Sequence, residues 1–316
     1  MPSFECYILN EYYKRYLKNN DRLAKAASLI DWEGFRSIIA SSYRNLTENG
    51  GRPNIDSIVM LKLLVLQQWY GLSDPELERQ VARDVIFQHF LGFPGVIPDY
   101  TTVWLFRERL IRDGKCDKVW SELQRQMERK GLKVERRGRA AQDATFITAD
   151  PGHAPAEEPR GVQALTRRSR DGSWTKKGRR SYFGYKLHLK ADLKYGLIRA
   201  IRTTTASVHD SQVDLSERGE VVYKDRGYFG VAAKGYDATM QRGTRAGPIS
   251  VFDRLRNLRI SRRRAPIERV FAVLKRVFRA GHVMVTTVPR VKVKMMFSCL
   301  CFNLMQVLTL RRQVQA

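Results

Sequence analysis

The sequence has few cysteines and no long uninterrupted apolar run. Its four cysteines form no CxxC pair and have no histidine at zinc-ligand spacing, which argues against a zinc site and predicts packing residues in a reducing compartment. The most apolar stretch, Met295 to Leu310, is interrupted by polar residues and is shorter than the roughly 20 residues of a membrane span, so we expect a buried or interface helix and no membrane partner. The N-terminus shows no basic segment followed by an apolar core, and we therefore expect a cytoplasmic protein.

Acidic side chains are also scarce. There are 32 Asp and Glu residues against 57 Lys and Arg, which gives a net charge of +25. So large an excess would weaken the fold by self-repulsion unless it served a polyanionic partner, and nucleic acid is the leading candidate. A basic packaging or structural protein, in which the charge alone suffices, is an alternative.

The first 133 residues predict an all-helical domain. Apolar residues recur at helical spacing, and capping residues mark helix ends. Asp56 starts one helix, Ser73 with Glu76 starts a second that Gly92 ends, and Asp99 or Thr101 starts a third. Three short helices with a basic last member could form a helix-turn-helix reader, in which Arg107, Arg109 and Arg112 would contact DNA. The alternative is a helical bundle that packs on the second domain or on a second subunit.

Residues 134–316 predict an α/β domain. Asp143 lies in a short apolar run typical of a buried strand, and Asp225 follows a second apolar run just before Gly227. A hairpin is predicted between these strands, over residues 182–192 and 196–205. Strands, hairpin and helices in this order indicate an α/β fold.

His209 and Asp210 form a rival constellation, an acid beside a potential general base. We favour a capping role for Asp210 at the start of a short helix, because no nucleophile is nearby.

A basic helix is predicted from Arg262 to Arg279, with Pro266 in its first turn. Arg264, Glu268 and Lys275 fall on one stripe beside its apolar face. An ordinary alternative is that Glu268 pairs with Arg264 or with a neighbouring arginine on a solvated helix. If Glu268 instead joins the two strand aspartates, three carboxylates would repel one another unless a divalent cation lay between them, which suggests magnesium.

The order DAT, VVYKDRGY and RAPIERVFAVLKR resembles the catalytic signature of DDE transposases from bacterial and archaeal insertion sequences, most closely insertion-sequence family five. The third motif of that family runs Tyr, two residues, Arg, three residues, Glu, six residues, Lys. Arg264, Glu268 and Lys275 match it, whereas Ser261 stands at the tyrosine position. The segments YFGYKLHLKAD, TTTASVHDSQ and IPDYTTVWLFRERL are also similar, so the resemblance covers roughly residues 30 to 310.

The resemblance implies a ribonuclease-H-like core, a mixed sheet flanked by helices, behind an all-α N-terminal domain. It implies that Asp143, Asp225 and Glu268 are catalytic and hold two Mg²⁺ ions, which Mn²⁺ can replace. The expected reaction is cleavage at transposon ends followed by strand transfer. The expected partners are terminal inverted repeats and target DNA, bound by at least a homodimer in a prokaryotic, nucleoid-associated setting. A nuclease of the same fold without joining activity, or an inactive relic, is the alternative.

Residues 151–180 are poor in apolar side chains and rich in charge, which predicts a mobile loop. Its bases surround Trp174, a pattern that favours phosphate tracking and base stacking over a merely solvated charge run. The remaining residues expected to bind DNA are Arg264, Lys275, Lys186, Tyr228, Arg167, Arg168, Lys176, Lys177, Arg179, Arg180, Arg262 and Arg263.

Overall fold

The computed structural model describes residues 4–17, 21–43, 53–132, 138–152, 171–243 and 247–315. It divides into two compact units, Met1–Lys130 with Asn303–Ala316, and Gly131–Phe302. The break at residue 130 is close to the boundary predicted at residue 133. The C-terminal segment differs from the prediction, because residues 303–316 group with the helical unit. The sequence shows no break at residue 302 because that position lies inside one continuous helix.

Before residue 131, the described part of the helical unit contains eight α-helices, together with a short π-helix, Tyr13–Leu17, and a 3-10 helix, Glu33–Phe35. The α-helices are α1 Phe4–Tyr12, α2 Arg22–Ala27, α3 Arg36–Ala40, α4 Ser57–Tyr70, α5 Asp74–Arg83, α6 Val85–Leu91, α7 Tyr100–Arg112 and α8 Lys115–Arg129. Helix α4 supplies much of the core, with Leu61, Leu64 and Val65 buried. An all-helical N-terminal region was predicted from the pattern, and the structure agrees.

The predicted helix caps are present. Asp56 accepts hydrogen bonds from the N–H groups of Ile58 and Val59, Ser73 accepts one from Glu76, and Asp99 accepts one from Thr102. The single helix predicted to end at Gly92 is instead two helices. Asp84 accepts hydrogen bonds from the next turn and so starts α6, which Gly92 then ends at a φ of 86°.

The second unit is built on a mixed sheet. In the described residues it has seven strands: β1 Arg139–Ala149, β2 Ser173–Lys177, β3 Arg180–Asp192, β4 Ile198–Thr205, β5 Val221–Lys224, β6 Tyr236–Thr239 and β7 His282–Val283. Strand β1 pairs antiparallel with β3 and parallel with β5. Strand β4 continues the antiparallel side, and β6 continues the parallel side. The resulting order, β4–β3–β1–β5–β6, is that of a ribonuclease-H-like core, and the predicted fold class is confirmed.

Two long helices complete the chain, α9 Val251–Arg276 and α10 Val288–Gln315. The predicted start of α9 was wrong. Ser250 caps the helix by accepting from the N–H of Asp253, so that Pro266 lies inside it and not in its first turn. Proline removes one helical hydrogen bond, and the burial of apolar side chains on both sides of it, such as Ile260 and Ile267, offsets that cost.

Helix α10 contains the apolar run of the C-terminal region. By length and composition residues 288–313 could cross a membrane, but 67% of the apolar window is buried within the protein. Cys299 and Cys301 are fully buried there as free thiols. The predictions of a buried helix and of packing cysteines agree with this.

The mobile loop predicted over residues 151–180 is wrong for residues 173–177, which form β2. This strand pairs with the first part of β3, and Gly178, at a φ of 61°, occupies the two-residue turn between them. Backbone hydrogen bonds stabilise such a hairpin whatever its side chains, which is why composition did not predict it. Residues 153–170 lie outside the described residues.

One face of the sheet, here called the lysine face, carries Lys186 and Lys190 of β3 and Lys224 of β5. Each lysine bonds a carboxylate in the segment 209–220 that covers this face. Lys186 lies 3.0 Å from Asp210, Lys190 lies 2.7 Å from Glu220, and Lys224 lies 2.6 Å from Asp214. These pairs fix the segment 209–220 against the sheet.

The Asp214–Lys224 pair is the most informative of these contacts. Burial alone would raise the pKa of Asp214, but hydrogen bonds from Lys224, Ser216 and two backbone N–H groups lower it to about 2. This is below the ordinary value of 3.8, so the carboxylate stabilises the fold above about pH 4, and the contribution is lost as the pH falls toward 2.

We predict that Lys224→Met lowers the free energy of unfolding by about 3 kcal/mol at pH 7, because it leaves a half-buried carboxylate without its cation. Urea unfolding at several pH values measures this, and the difference from wild type should shrink as Asp214 becomes protonated near pH 2. Arg254→Met, at an exposed position of α9, is the control and should change stability little. Equal losses in both variants would contradict the prediction.

Candidate active site

Two carboxylates are brought together on the sheet by the register of β1 and β5. These parallel strands pair Ala140 with Val222 and Ala141 with Tyr223. Two residues farther along both strands come Asp143 and Asp225, which therefore point to the same face at the same level. We call this face the carboxylate face; helix α9 packs on it.

Asp143 is a half-buried side chain with two hydrogen bonds. Its Oδ2 accepts from the Arg264 guanidinium at 2.6 Å, and its Oδ1 accepts from the N–H of Ala144 at 2.8 Å. Burial raises the pKa of Asp143 above its ordinary value of 3.8, and repulsion from Asp225 adds to the rise, while Arg264 and the Ala144 N–H oppose it. Asp143 is therefore a desolvated acid with both a cation and a second acid beside it.

Asp225 follows the end of β5 and begins a 3-10 turn over Arg226–Tyr228. Its Oδ1 accepts a hydrogen bond from the N–H of Gly227 at 2.8 Å. The prediction that this acid ends a strand before a glycine agrees with the structure, and the turn fixes the direction of its side chain.

Glu268 is exposed on α9, one helical turn after Arg264. It forms no ion pair with the arginines around it in the described part of the chain, so the alternative of a solvated pair is absent here. In the same ranges no three Asp, Glu, His or Cys side chains are grouped closely enough to hold a metal ion. The structure thus brings Asp143 and Asp225 together and leaves Glu268 outside that pair.

Arg264 and Lys275, both expected to bind phosphate, have different surroundings. Arg264 is 13% exposed, and its guanidinium bonds Asp143. Lys275 is an exposed residue, and the aliphatic part of its side chain packs beside Gly281. Burial lowers the pKa of Lys275, and repulsion from Lys177 of β2 lowers it further, so the hairpin and the end of α9 bring two cations close together.

Two weaker DNA-binding predictions fall on interior side chains. Tyr228 is 2% exposed, and burial, followed by the charge of Asp143, raises its pKa. Lys186 donates to the carbonyl of Val208 at 2.8 Å and bonds Asp210. Tyr228 is thus buried in the turn after β5, and the half-buried Lys186 of β3 is held by its two partners. Their roles in DNA binding stay predictions.

The rival His209–Asp210 constellation is resolved differently from the prediction. His209 and not Asp210 caps the 3-10 turn over Asp210–Gln212, since its Nδ1 accepts from the N–H of Ser211 at 3.3 Å. Asp210 pairs with Lys186 instead.

The hairpin of β2 and β3 carries the described part of the basic run. Its exposed side chains are Trp174, Lys176, Lys177, Arg179 and Arg180. Trp174 meets Phe183 edge to face at 5.4 Å, and the run's one acid, Asp171, accepts from Tyr185 and from the N–H of Val288. The acid thus anchors the base of the hairpin and leaves its cations in solvent. Arg167 and Arg168 lie outside the described residues.

The arginines proposed as DNA contacts in α7 are only partly available. Arg107 is 17% exposed and pairs with Asp74 at 2.6 Å. Arg109 lies over the ring of Tyr43 at 5.1 Å, while Arg112 is exposed beside Asp113. Arg107 therefore links α7 to α5 within the helical unit.

Gln142, next to Asp143, was missed by the sequence reasoning. It is fully buried, its amide donates to the carbonyl of Val213, and its carbonyl accepts from the N–H of Leu215. It holds the segment 209–220 against β1 on the lysine face, opposite the carboxylates. A polar residue inside the apolar run AAQDATF was the available signal.

The donors at the site suit a hard divalent cation. Asp143 and Asp225 present carboxylate oxygens, the ligands that such ions prefer, and burial, with repulsion from Asp225 added, raises the pKa of Asp143. A cation between them would remove that repulsion. Phosphoryl transfer is the chemistry that paired acidic metal ligands beside basic side chains support.

Two family models match the chain. The model "Transposase domain (DUF772)" matches residues 11–109, and the model "Transposase DDE domain" matches residues 136–304, more than half of the 316 residues. Among solved structures, the chain is similar to the cryo-EM structure of the piggyBac transposase synaptic complex with hairpin DNA. That similarity has 10% sequence identity and a TM-score of 0.42, over 92% of this chain and 73% of that chain. A TM-score of this size does not by itself establish a shared fold.

We predict opposite effects of two substitutions on the pKa of Asp143. Arg264→Gln should raise it, because the cation that favours the carboxylate is lost, and Asp225→Asn should lower it, because a repelling charge is lost. Carboxyl-carbon NMR titration, with the Asp143 signal assigned by its loss in Asp143→Asn, measures both. Shifts in the same direction would show that the two charges do not act on Asp143 as the geometry indicates.

Proposed function

The chain belongs to the DDE transposase family and is a DNA transposase, and from this premise we propose that it cuts DNA at the ends of a mobile element and joins the freed ends to target DNA. The observation that carries the proposal is the pair of carboxylates, Asp143 and Asp225, on adjacent parallel strands under a basic helix. A fold of this kind with acids elsewhere would not support the reaction.

Transposases of this family use divalent metal ions. We propose two Mg²⁺ ions, replaceable by Mn²⁺, held by Asp143, Asp225 and Glu268. When bound, these ions would activate the attacking oxygen and stabilise the leaving oxygen of an in-line displacement. Glu268 is four residues from Arg264, which contacts Asp143, and side chains at that spacing lie about 5–6 Å apart at Cβ. A change in its side-chain rotamer is the proposed route by which Glu268 approaches the pair.

Arg264 and Lys275 of α9 would hold the DNA. Arg264 bonds Asp143 through Nη2 at 2.6 Å, and its other terminal N–H groups would bond a phosphate oxygen. Lys275 and Lys177 repel each other, and a phosphate between them would relieve that repulsion. These cations would position the scissile phosphate over the carboxylates.

Farther from the site, the exposed cations of the β2–β3 hairpin would follow the DNA backbone, and Trp174 would stack on a base. We propose terminal inverted repeats and target DNA as the substrates, and a homodimer or larger assembly, because two ends must be paired. The location would be the prokaryotic cytoplasm, at the nucleoid.

Membership in insertion-sequence family five is also a proposal. Arg264, Glu268 and Lys275 fit the third motif of that family, and all three lie on α9. Ser261, at the tyrosine position, is exposed on the same helix, and we expect it to replace a phenol contact by at most a hydroxyl contact.

We predict that the wild-type protein cleaves and joins supercoiled plasmid DNA bearing the gene's own flanking sequences, with Mg²⁺ or Mn²⁺. Asp143→Asn and Glu268→Gln should each lower the cleavage rate by at least about a hundredfold, since a metal ligand supplies several kcal/mol of transition-state stabilisation. Gel analysis of cut and joined products is the measurement.

Asp237→Asn, at an exposed acid of β6, is the matched control and should retain cleavage. Cuts without joined products would indicate a nuclease of the same fold. Binding without cuts in every protein would indicate a non-catalytic basic protein or an inactive copy. Full activity in Glu268→Gln would remove Glu268 from the site while leaving the two aspartates in place.

A further inference from the structure

A pocket of about 670 Å³ lies on the carboxylate face, between α9 and strands β5 and β6. Its floor is formed by Val221, Tyr223 and Ala238, and Ile260 of the helix lies above them. Small-molecule sites typically enclose about 300–1,000 Å³, so this pocket has room for a nucleotide.

Four arginines line the same pocket: Arg256, Arg259, Arg262 and Arg263. Arg256 donates to the backbone carbonyl of Thr239 at 2.6 Å. The other three are exposed and form no ion pair within the described ranges, and no carboxylate lines the pocket. Guanidinium groups concentrated in this way repel one another unless an anion binds, and their planar fork matches the oxygens of a phosphate.

The apolar floor adds a second recognition element. A tyrosine ring with aliphatic neighbours is a stacking platform for a planar base, and such stacking tolerates any base sequence. An inorganic anion would use the arginines alone. A ligand with a phosphate and a planar base would use both the arginines and the floor.

The pocket adjoins the carboxylate pair. Tyr223 of β5 and Asp225, which directly follows the strand, lie two residues apart on the same face of the sheet, which corresponds to about 7 Å. On the helix, Arg263 of the pocket immediately precedes Arg264, which bonds Asp143. A chain of phosphates could therefore run from the pocket to the carboxylates without leaving this face.

We propose that the pocket binds one nucleotide unit, with its phosphate on Arg259 and Arg263 and its base against Tyr223. The inference rests on the proposed function, because the unit would belong to the DNA strand that reaches Asp143 and Asp225. A free nucleotide has the same chemistry, and the test distinguishes the two sources.

The test is fluorescence polarisation of a short fluorescein-labelled single-stranded oligonucleotide, with EDTA present so that binding is measured without cleavage. Arg259→Ala and Arg263→Ala should each weaken binding about tenfold and reduce the salt dependence by about 0.7 in slope, as expected for one lost phosphate contact. Tyr223→Leu should also weaken binding about tenfold through lost stacking, with little change in salt dependence.

Arg254→Ala is the matched control, since it removes the same charge from the same helix outside the pocket, and it should bind nearly as the wild type does. Circular dichroism confirms that each variant is folded. If Arg254→Ala weakens binding as much as the pocket variants do, or if the pocket variants bind like wild type, the pocket inference is overturned.

Two further measurements show whether the bound nucleotide is free or part of a DNA strand, and whether its base contacts Tyr223. Equilibrium dialysis of dTMP shows whether a free nucleotide binds; tight binding that the same variants weaken would assign the pocket to free nucleotides. Irradiation of an oligonucleotide carrying 5-iodouracil should crosslink Tyr223, and a crosslink found only elsewhere would contradict the base position. If the wild-type protein does not cleave DNA but the pocket variants still weaken oligonucleotide binding, the proposed function is contradicted and the pocket inference is not.

Discussion

The parallel pairing of β1 with β5 is the constraint on which the rest of the site depends. It fixes Asp143 beside Asp225 on one face, where burial and mutual repulsion both oppose ionisation of Asp143. Such a pair is unfavourable unless cations approach it. Helix α9 supplies one in Arg264, and the same geometry suits a divalent ion. The fold therefore holds two carboxylates in an electrostatically unfavourable arrangement that suits the binding of a cation.

Contacts on the lysine face, the opposite face of the sheet, stabilise the fold against the repulsion between the two carboxylates. Lys190 and Lys224 are buried, yet each bonds a carboxylate, and Gln142 holds the same covering segment through two backbone contacts. Breaking any of these pairs would leave a buried charge uncompensated. Because Gln142 is adjacent to Asp143 in β1, the contacts of the lysine face also hold the strand that carries the first carboxylate. The contacts that stabilise the lysine face thus also hold Asp143 in position on the carboxylate face.

Local signals predicted the parts of the fold that local chemistry determines. The caps at Asp56, Ser73 and Asp99 and the strands around Asp143 and Asp225 needed only neighbouring residues, and the helical and strand periods were clear. The burial of Tyr228 and the partner of Arg264 depend on contacts between residues far apart in the chain. The cap of α9 at Ser250 and the β2–β3 hairpin are local, but neither shows in the apolar periodicity on which the predictions relied. Arg264 could have bonded Glu268 or solvent by helix geometry alone, and only the sheet brings Asp143 within reach.

The charge distribution follows from the substrate class. A DNA strand must approach two carboxylates, which repel its phosphates, and the cations of α9 and of the β2–β3 hairpin offset that repulsion at short range. Burial, followed by the charge of Lys177, lowers the pKa of Lys275, which is consistent with two cations on the same side of the site. The arginines of the pocket beside Tyr223 repeat the arrangement on the same face. Since screening limits such forces to about 10 Å at ordinary salt, cations can guide the strand only if they lie along its path, and here they extend from the pocket through Arg264 to the hairpin.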